Sequence, residues 1–151
     1  MLSVGTQAPL FEADSTAGTI KLSHYIGQQP IVLIFYPMDE TPGCTKQLCA
    51  VRDSRSLYAR YDALVMGVNP ASLEHHRKFA EKQGYDFPLV VDSGGEIRKA
   101  YDVGKMLGLI AQQRVVFVIG RDGKIAFAQK GNRPTEEIIG VLQSLRDANG
   151  G

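Results

Sequence analysis

The chain of 151 residues has no tryptophan, only two cysteines and three histidines, and almost no charge imbalance. Lys+Arg 17 against Asp+Glu 16 leave a formal net charge of +1. That balance gives no extended field to draw in nucleic acid or an anionic membrane surface. The apolar run Ile31–Tyr36 falls far short of the roughly 20 residues that a membrane-spanning helix needs. Met1-Leu2-Ser3-Val4-Gly5 offers neither a basic n-region nor an apolar h-region, so no signal peptide is expected. Two cysteines cannot form a disulfide framework for a domain of this size, whose core needs none. The expected setting is a reducing cytoplasm, where such a pair points to catalysis or redox chemistry. No repeat, low-complexity tract or Pro/Gly/Ser linker divides the chain. It reads as a single domain over residues 1–151, with about 147–151 frayed.

What is present is an alternation of short apolar runs and helical patterns. Leu10–Asp14 and Thr19–Leu22 flank Ser15-Thr16-Ala17-Gly18 and predict a small hairpin. Ser23 then caps a short turn at His24-Tyr25-Ile26. The runs 31–36, 64–68 and 115–119 suit strands buried on both faces. Between them the patterns predict a helix over 44–61 and one from Ala71 or Ser72 to Gln83, ended by Gly84. A short strand over 87–91 and a short helix over 96–101 follow. Gly120-Arg121-Asp122-Gly123 is a turn signal that joins 115–119 to a strand over 124–129. Pro134 opens a last helix with Glu136 and Glu137 in its first turn and Ile138, Ile139, Val141, Leu142 and Leu145 as core. The fold class expected is α/β: a thioredoxin-like sandwich with a mixed central sheet flanked by helices and an N-terminal β-hairpin. A flavodoxin-like doubly wound sheet is the nearest competitor.

The chemistry concentrates at Cys44 and Cys49. Cys44 lies where the strand 31–36 gives way to a helix, and the free N–H groups and dipole of a helix start favour an anion. A thiolate is such an anion. A free thiol, with a pKa of ~8.5, is only a few per cent ionised at neutral pH, and lowering it to about 6 takes roughly 3.4 kcal/mol. A helix terminus supplies about 0.3–1 kcal/mol, reaching about 2 in favourable geometry. A cation is therefore needed as well, and arginine suits the task. Five residues apart on one helix, the two cysteines point about 140° apart with Cα atoms ~8.7 Å from each other. A disulfide needs roughly 4.4–6.8 Å. Either the pair never bonds, or the first turn unwinds to let it. Other uses of the thiols stay open: a buried apolar cysteine, an acyl-transfer nucleophile for which no histidine is placed by the pattern, or zinc. Zinc would need two further ligands, and neither His24 nor the His75-His76 pair stands at ligand spacing.

The segment Phe35-Tyr36-Pro37-x3-Thr41-Pro42-Gly43-Cys44-Thr45-x3-Cys49-x2-Arg52-Asp53 resembles the active site of the peroxiredoxins, closest to the Q-type branch, the bacterioferritin comigratory proteins. The family motif P-x3-[TS]-x2-C falls on Pro37, Thr41 and Cys44, and that branch's resolving cysteine on Cys49. The family's strand-start arginine is matched by Arg114. Gly67-Val68-Asn69-Pro70, Phe79-Ala80-Glu81-Lys82, Phe87-Pro88-Leu89 and Asp122-Gly123-Lys124-Ile125 extend the likeness over about residues 3–145. Gly120 stands where relatives often carry an acid. The stretch 104–113 before Arg114 is short and lacks the tryptophan of many members.

The resemblance implies a thiol-dependent peroxidase acting on hydrogen peroxide and organic hydroperoxides. Cys44 becomes a sulfenic acid, Thr41 hydrogen-bonds thiolate and peroxide, Arg114 stabilises the charge, and Pro37 shields the pocket. Cys49 resolves the sulfenic acid into an intramolecular disulfide, which thioredoxin or a similar thiol reductant resets. Arg52 either adds positive potential or pairs with an acidic neighbour. No flavin, haem or metal is implied, and the expected state is a monomer or weak homodimer. Two other functions fit the same fold: a protein disulfide reductase or isomerase, which the absence of C-x2-C opposes, and a redox-gated binding module or holdase without multiple turnover.

Overall fold

The computed structural model describes residues 1–106 and 111–148. The strands are β1 (Glu12–Ser15), β2 (Gly18–Lys21), β3 (Ile31–Phe35), β4 (Leu64–Asn69), β5 (Leu89–Val91), β6 (Val115–Ile119) and β7 (Ile125–Lys130). The helices are α1 (Pro42–Asp53), α2 (Arg55–Arg60), α3 (Leu73–Gln83), α4 (Glu96–Ala100) and α5 (Thr135–Ala148). All seven strands form one sheet in the order β2-β1-β5-β4-β3-β6-β7. Strands β3, β4 and β5 run parallel, whereas β6 pairs antiparallel with β3 and β7, and β1 pairs antiparallel with β2 and β5. The mixed sheet with its N-terminal hairpin at one edge is the expected sandwich. The antiparallel β6–β7 ribbon sets it apart from a doubly wound parallel sheet.

The three runs read as doubly buried strands split their side chains by strand periodicity. Ile31, Leu33, Phe35, Met66, Val68, Val115, Phe117 and Ile119 pack on one face, with Ile97 of α4 and Leu22. Val32, Ile34, Tyr36, Val65, Val116 and Val118 pack on the other, with Cys44 and Leu48 of α1, Tyr58 of α2, Phe79 of α3, and Ile138 and Leu142 of α5. Both faces are therefore roofed, and the cysteine segment belongs to the second roof. Ile139, Val141 and Leu145 pack against that core from half-buried positions.

Several boundaries differ from those expected. The helix predicted over 44–61 starts at Pro42, whose ring pre-sets the dihedral of a first helical position. It also breaks at Ser54 (φ −105°, ψ 14°), so 42–60 is two helices. The hairpin tightens to Thr16-Ala17, with Ser15 and Gly18 drawn into the strands. The turn expected after Ser23 is a 3-10 turn over Leu22–His24 without a side-chain cap. Strand β5 begins only after Pro88, which has no N–H to give a ladder. At the C-terminus the expected fraying overlaps ordered helix: Asp147 and Ala148 belong to α5, while 149–151 lie outside the described residues. Of the short segment 104–113, residues 107–110 also lie outside them.

Candidate active site

Sheet register assembles the site. Phe35 pairs with Val68 on one side and Val115 on the other. The residues just beyond those pairs, Tyr36–Pro37, Asn69 and Arg114, therefore meet at one edge of the sheet. Gln112, 2% exposed, binds the edge together: its Nε2 donates to the carbonyls of Tyr36 at 2.9 Å and Val68 at 2.8 Å. From there the chain runs through Pro37–Thr41 into α1, and Cys44 is the third residue of that helix.

The Cys44 side chain is fully buried on the second core face, beneath the first turn of α1. Thr41 precedes the helix in an extended conformation (φ −77°, ψ 150°) and makes no side-chain cap, its Oγ1 donating instead to the Met38 carbonyl at 3.2 Å. The first-turn N–H groups thus keep their positive end for another acceptor. Arg114 supplies the cation beside this turn. Its Nη1 donates to Gln47 Oε1 at 2.6 Å, and its Nη2 lies 3.2 Å from where a Cβ on Gly43 would stand. Gly43 leaves room for the guanidinium, and Gln47, one turn after Cys44 and 4% exposed, aims it. Pro37 is half-buried at the mouth of the loop. Cys44, Arg114, Thr41 and Pro37 are thus brought to one place. Among the described residues, however, neither Thr41 nor Arg114 hydrogen-bonds the sulfur, each having another partner.

A buried polar cluster fastens the loop from behind. The Asp39 carboxylate accepts from Tyr36 Oη at 2.6 Å and Asn69 Nδ2 at 3.3 Å on Oδ1, and faces His76 Nδ1 at 2.7 Å with Oδ2. His76 Nε2 lies 3.0 Å from the Val90 carbonyl, which can only accept, so Nε2 carries a proton. The His76 and Asp39 side chains are 0% and 7% exposed. A proton therefore also bridges Nδ1 and Oδ2, and one carboxylate ties the loop to the residue after β3, to β4 and to α3 at once. Burial, reinforced by the Asp39 charge, pushes the Tyr36 hydroxyl well above its ordinary range.

Cys49 lies in the same helix, half-buried, and both thiols are free. Its Sγ is 3.3 Å from Tyr85 Oη and 3.7 Å from Gln83 Oε1. Of the two readings of Arg52, the acidic-neighbour pairing is the one present: Nε meets Asp53 at 2.9 Å, while Nη1 donates to the Gln83 carbonyl at 2.6 Å.

Sequence reasoning missed Gln47, Asp39, His76 and Tyr85. A signal existed for His76, which shares the helical spacing of Phe79 and Ala80 and so falls on the buried face of α3. Among the described residues, no helix is long and apolar enough to cross a membrane.

The AhpC/TSA family model matches residues 4–128. The chain is 37% identical over 152 residues to peroxiredoxin Bcp of Bacillus subtilis, covering 97% of this chain and 96% of that protein. It is 36% identical over 149 residues to a chloroplastic peroxiredoxin Q of Triticum aestivum, covering 95% of this chain and 68% of the relative. In three dimensions it resembles the crystal structure of peroxidoxin BcpB from Mycobacterium tuberculosis, with a TM-score of 0.88 at 29% identity, over 97% and 99% of the two chains.

Proposed function

The chain belongs to the AhpC/TSA family as a thiol peroxidase of the Bcp/peroxiredoxin Q kind with a thioredoxin-like fold, and on that premise we propose that Cys44 is its peroxidatic and Cys49 its resolving cysteine. One observation carries the reading: Cys44 is buried in the uncapped first turn of α1 beside the guanidinium that Gln47 holds across Gly43, with a second free thiol on the same helix. The helix start and the arginine together supply the positive field that the dipole alone is too weak to give.

In the first step the Cys44 thiolate attacks the terminal oxygen of a hydroperoxide. An S–O bond forms, the O–O bond breaks, and the departing alkoxide or hydroxide takes a proton from water. Arg114 faces the charge that moves from sulfur to oxygen, Thr41 turns its hydroxyl from Met38 to the peroxide, and Pro37 keeps bulk water from the pocket. In the second step the Cys49 thiol attacks the sulfenic sulfur. An S–S bond forms, the S–O bond breaks, and water leaves with the Cys49 proton. The two cysteines have then given two electrons to the peroxide. A thioredoxin-type dithiol of the cytoplasm returns them by exchange. Because ~8.7 Å separates Cα atoms five residues apart on a helix, the second step requires α1 to unwind between the two residues. A dithiol exchanger needs no such movement, so the spacing favours the peroxidase cycle over a disulfide reductase.

Steady-state reduction of hydrogen peroxide and an organic hydroperoxide, with thioredoxin, thioredoxin reductase and NADPH as electron source, tests the proposal. Wild-type protein is expected to turn over many times and Cys44→Ser not at all. Full activity in Cys44→Ser, or a single turnover in wild type, would overturn the assignment.

A further inference from the structure

Tyr85 stands outside the peroxide-binding edge yet touches the segment that must move. It follows the C-cap of α3, where Gly84 turns the chain in the left-handed region (φ 70°) and the Tyr85 N–H bonds back to the Ala80 carbonyl at 2.9 Å. Its ring is fixed edge-on to Phe79, at 5.2 Å between centroids, and stacked on Phe87 at 5.0 Å. A rigid ring puts the hydroxyl in one place. There it donates to the Thr45 carbonyl at 3.3 Å and lies 3.3 Å from Cys49 Sγ. In an α-helix the carbonyl of residue 45 is the one that accepts the N–H of residue 49. The single hydroxyl therefore grips both ends of the turn that separates the two cysteines.

The same corner holds α1 once more, through the Arg52 bond to the Gln83 carbonyl. A phenol has one proton to give. With that proton on Thr45, the Cys49 S–H is the donor toward Tyr85 or Gln83, so the resting thiol is itself committed to the folded turn. Unwinding α1 breaks these contacts along with the helical hydrogen bonds. Oxidation of Cys44 at the start of the helix involves none of them.

We propose that the Tyr85 hydroxyl is a latch on the turn between Cys44 and Cys49, setting how fast Cys49 reaches an oxidised Cys44 and hence what share of the enzyme is over-oxidised. This rests on Cys49 being the resolving residue. The chemistry is the resolving step already balanced above; Tyr85 exchanges no atom in it and acts as a positioning residue. The latch trades speed of resolution for order in the reduced state.

Tyr85→Phe tests the idea, because it keeps the ring between Phe79 and Phe87 and removes only the hydroxyl. Reduced protein is mixed with hydrogen peroxide, quenched at increasing times, and its sulfenic, disulfide and sulfinic forms are counted by intact mass. Loss of one or two hydrogen bonds predicts disulfide formation about three- to tenfold faster in the variant. Sulfenic acid formation is expected to keep its rate, and the sulfinic fraction at high peroxide to fall in proportion. Amide hydrogen exchange of residues 45–49 in the reduced protein should quicken by a similar factor. Unchanged or slower disulfide formation in Tyr85→Phe would overturn the latch while leaving Cys49 as resolver. If wild-type protein forms no Cys44–Cys49 disulfide, the resolving assignment fails, and the latch falls with it.

Discussion

Arg114 Nη1 donates to Gln47 Oε1 at 2.6 Å, and this bond joins the first residue before β6 to the helix that carries both thiols. A guanidinium beside Gly43 without such a partner would swing among rotamers, and a preorganised charge is worth more than a mobile one. Gln47→Ala is therefore expected to lower the second-order rate of Cys44 oxidation about tenfold, equivalent to about 1.4 kcal/mol, with the protein still folded. Rapid-mixing measurement of peroxide consumption checks it. A rate within twofold of wild type would mean that Arg114 needs no aiming.

Gly67 lies in β4 beneath Tyr36. A Cβ there would stand 2.9 Å from Leu89 Cδ2 and 3.0 Å from Tyr36 Cε1. Both neighbours are fully buried, so neither can withdraw freely. Gly67→Ala is expected to cost about 1–3 kcal/mol of stability, as overpacking does. Because Tyr36 is bonded to Asp39, peroxide turnover should drop with it. Urea unfolding and steady-state rates on one sample decide the matter, and a stable, fully active variant would refute it.

How much of this was legible in the sequence follows from the range of each interaction. The buried strands 31–36, 64–68 and 115–119 could be read because their own side chains declare two apolar faces. Gly84 and Ser72 could be read because capping is local. The end of the first helix could not: the break at Ser54 has no proline or glycine to mark it. Gln47, Tyr85 and Asp39 stayed hidden for a different reason. Their partners lie 67, 40 and 37 residues away, for Arg114, Thr45 and His76 respectively, and only the sheet order brings those segments together. The motif singled out the two thiols; the geometry shows which side chains touch the helix that carries them.

The pair His76–Asp39 is the most heavily buried ionisable contact near the loop. Removing His76 leaves the Asp39 carboxylate with Tyr36 and Asn69 on Oδ1 but takes away the partner of Oδ2, and breaking a buried pair in this way is more damaging than never having had it. His76→Ala is expected to destabilise the protein by about 3–5 kcal/mol. It should also loosen Pro37–Thr41, with a larger fall in the oxidation rate of Cys44 than in the rate of disulfide formation. Chemical denaturation gives the first quantity and quenched-flow mass analysis the second. A loss below about 1 kcal/mol, the median for exposed pairs, would show that the contact carries little energy.

Four buried tyrosines give the protein an alkaline limit. Burial pushes Tyr58 up to about 12 and raises Tyr101 further, and it also raises Tyr36 and Tyr85, with help from Asp39 and Cys49 respectively. An unfolded tyrosine ionises near pH 10. Below that value both states keep their protons and the native state has its full stability. Above it the unfolded chain loses protons that the native one retains, so stability falls as pH rises toward the folded values. Tyr58 and Tyr101 should each remove about 1.4 kcal/mol per pH unit between about pH 10 and 12. With no tryptophan in the chain, the rise of tyrosinate absorbance is read directly. The share of it that comes from the four buried tyrosines, of six in the chain, should appear in a cooperative step together with loss of helical circular dichroism. Gradual titration with the fold intact would contradict the burial of these hydroxyls.

Cys49 also makes a prediction by its absence. In Cys49→Ser the first turn of α1, with Cys44, is untouched, so the first oxidation should proceed at the wild-type rate. The sulfenic acid then has no partner on its own helix and stays exposed to a second peroxide, which takes it to sulfinic acid. Turnover with a dithiol reductant should fall at least tenfold, and the sulfinic form should accumulate at peroxide concentrations that leave wild-type protein in the disulfide. The serine hydroxyl can still donate to Tyr85 or Gln83, as the thiol does, so α1 keeps its tether and the change isolates the chemistry of the sulfur. Intact mass after graded peroxide exposure gives the answer, and equal sulfinic yields in the two proteins would remove Cys49 from the cycle.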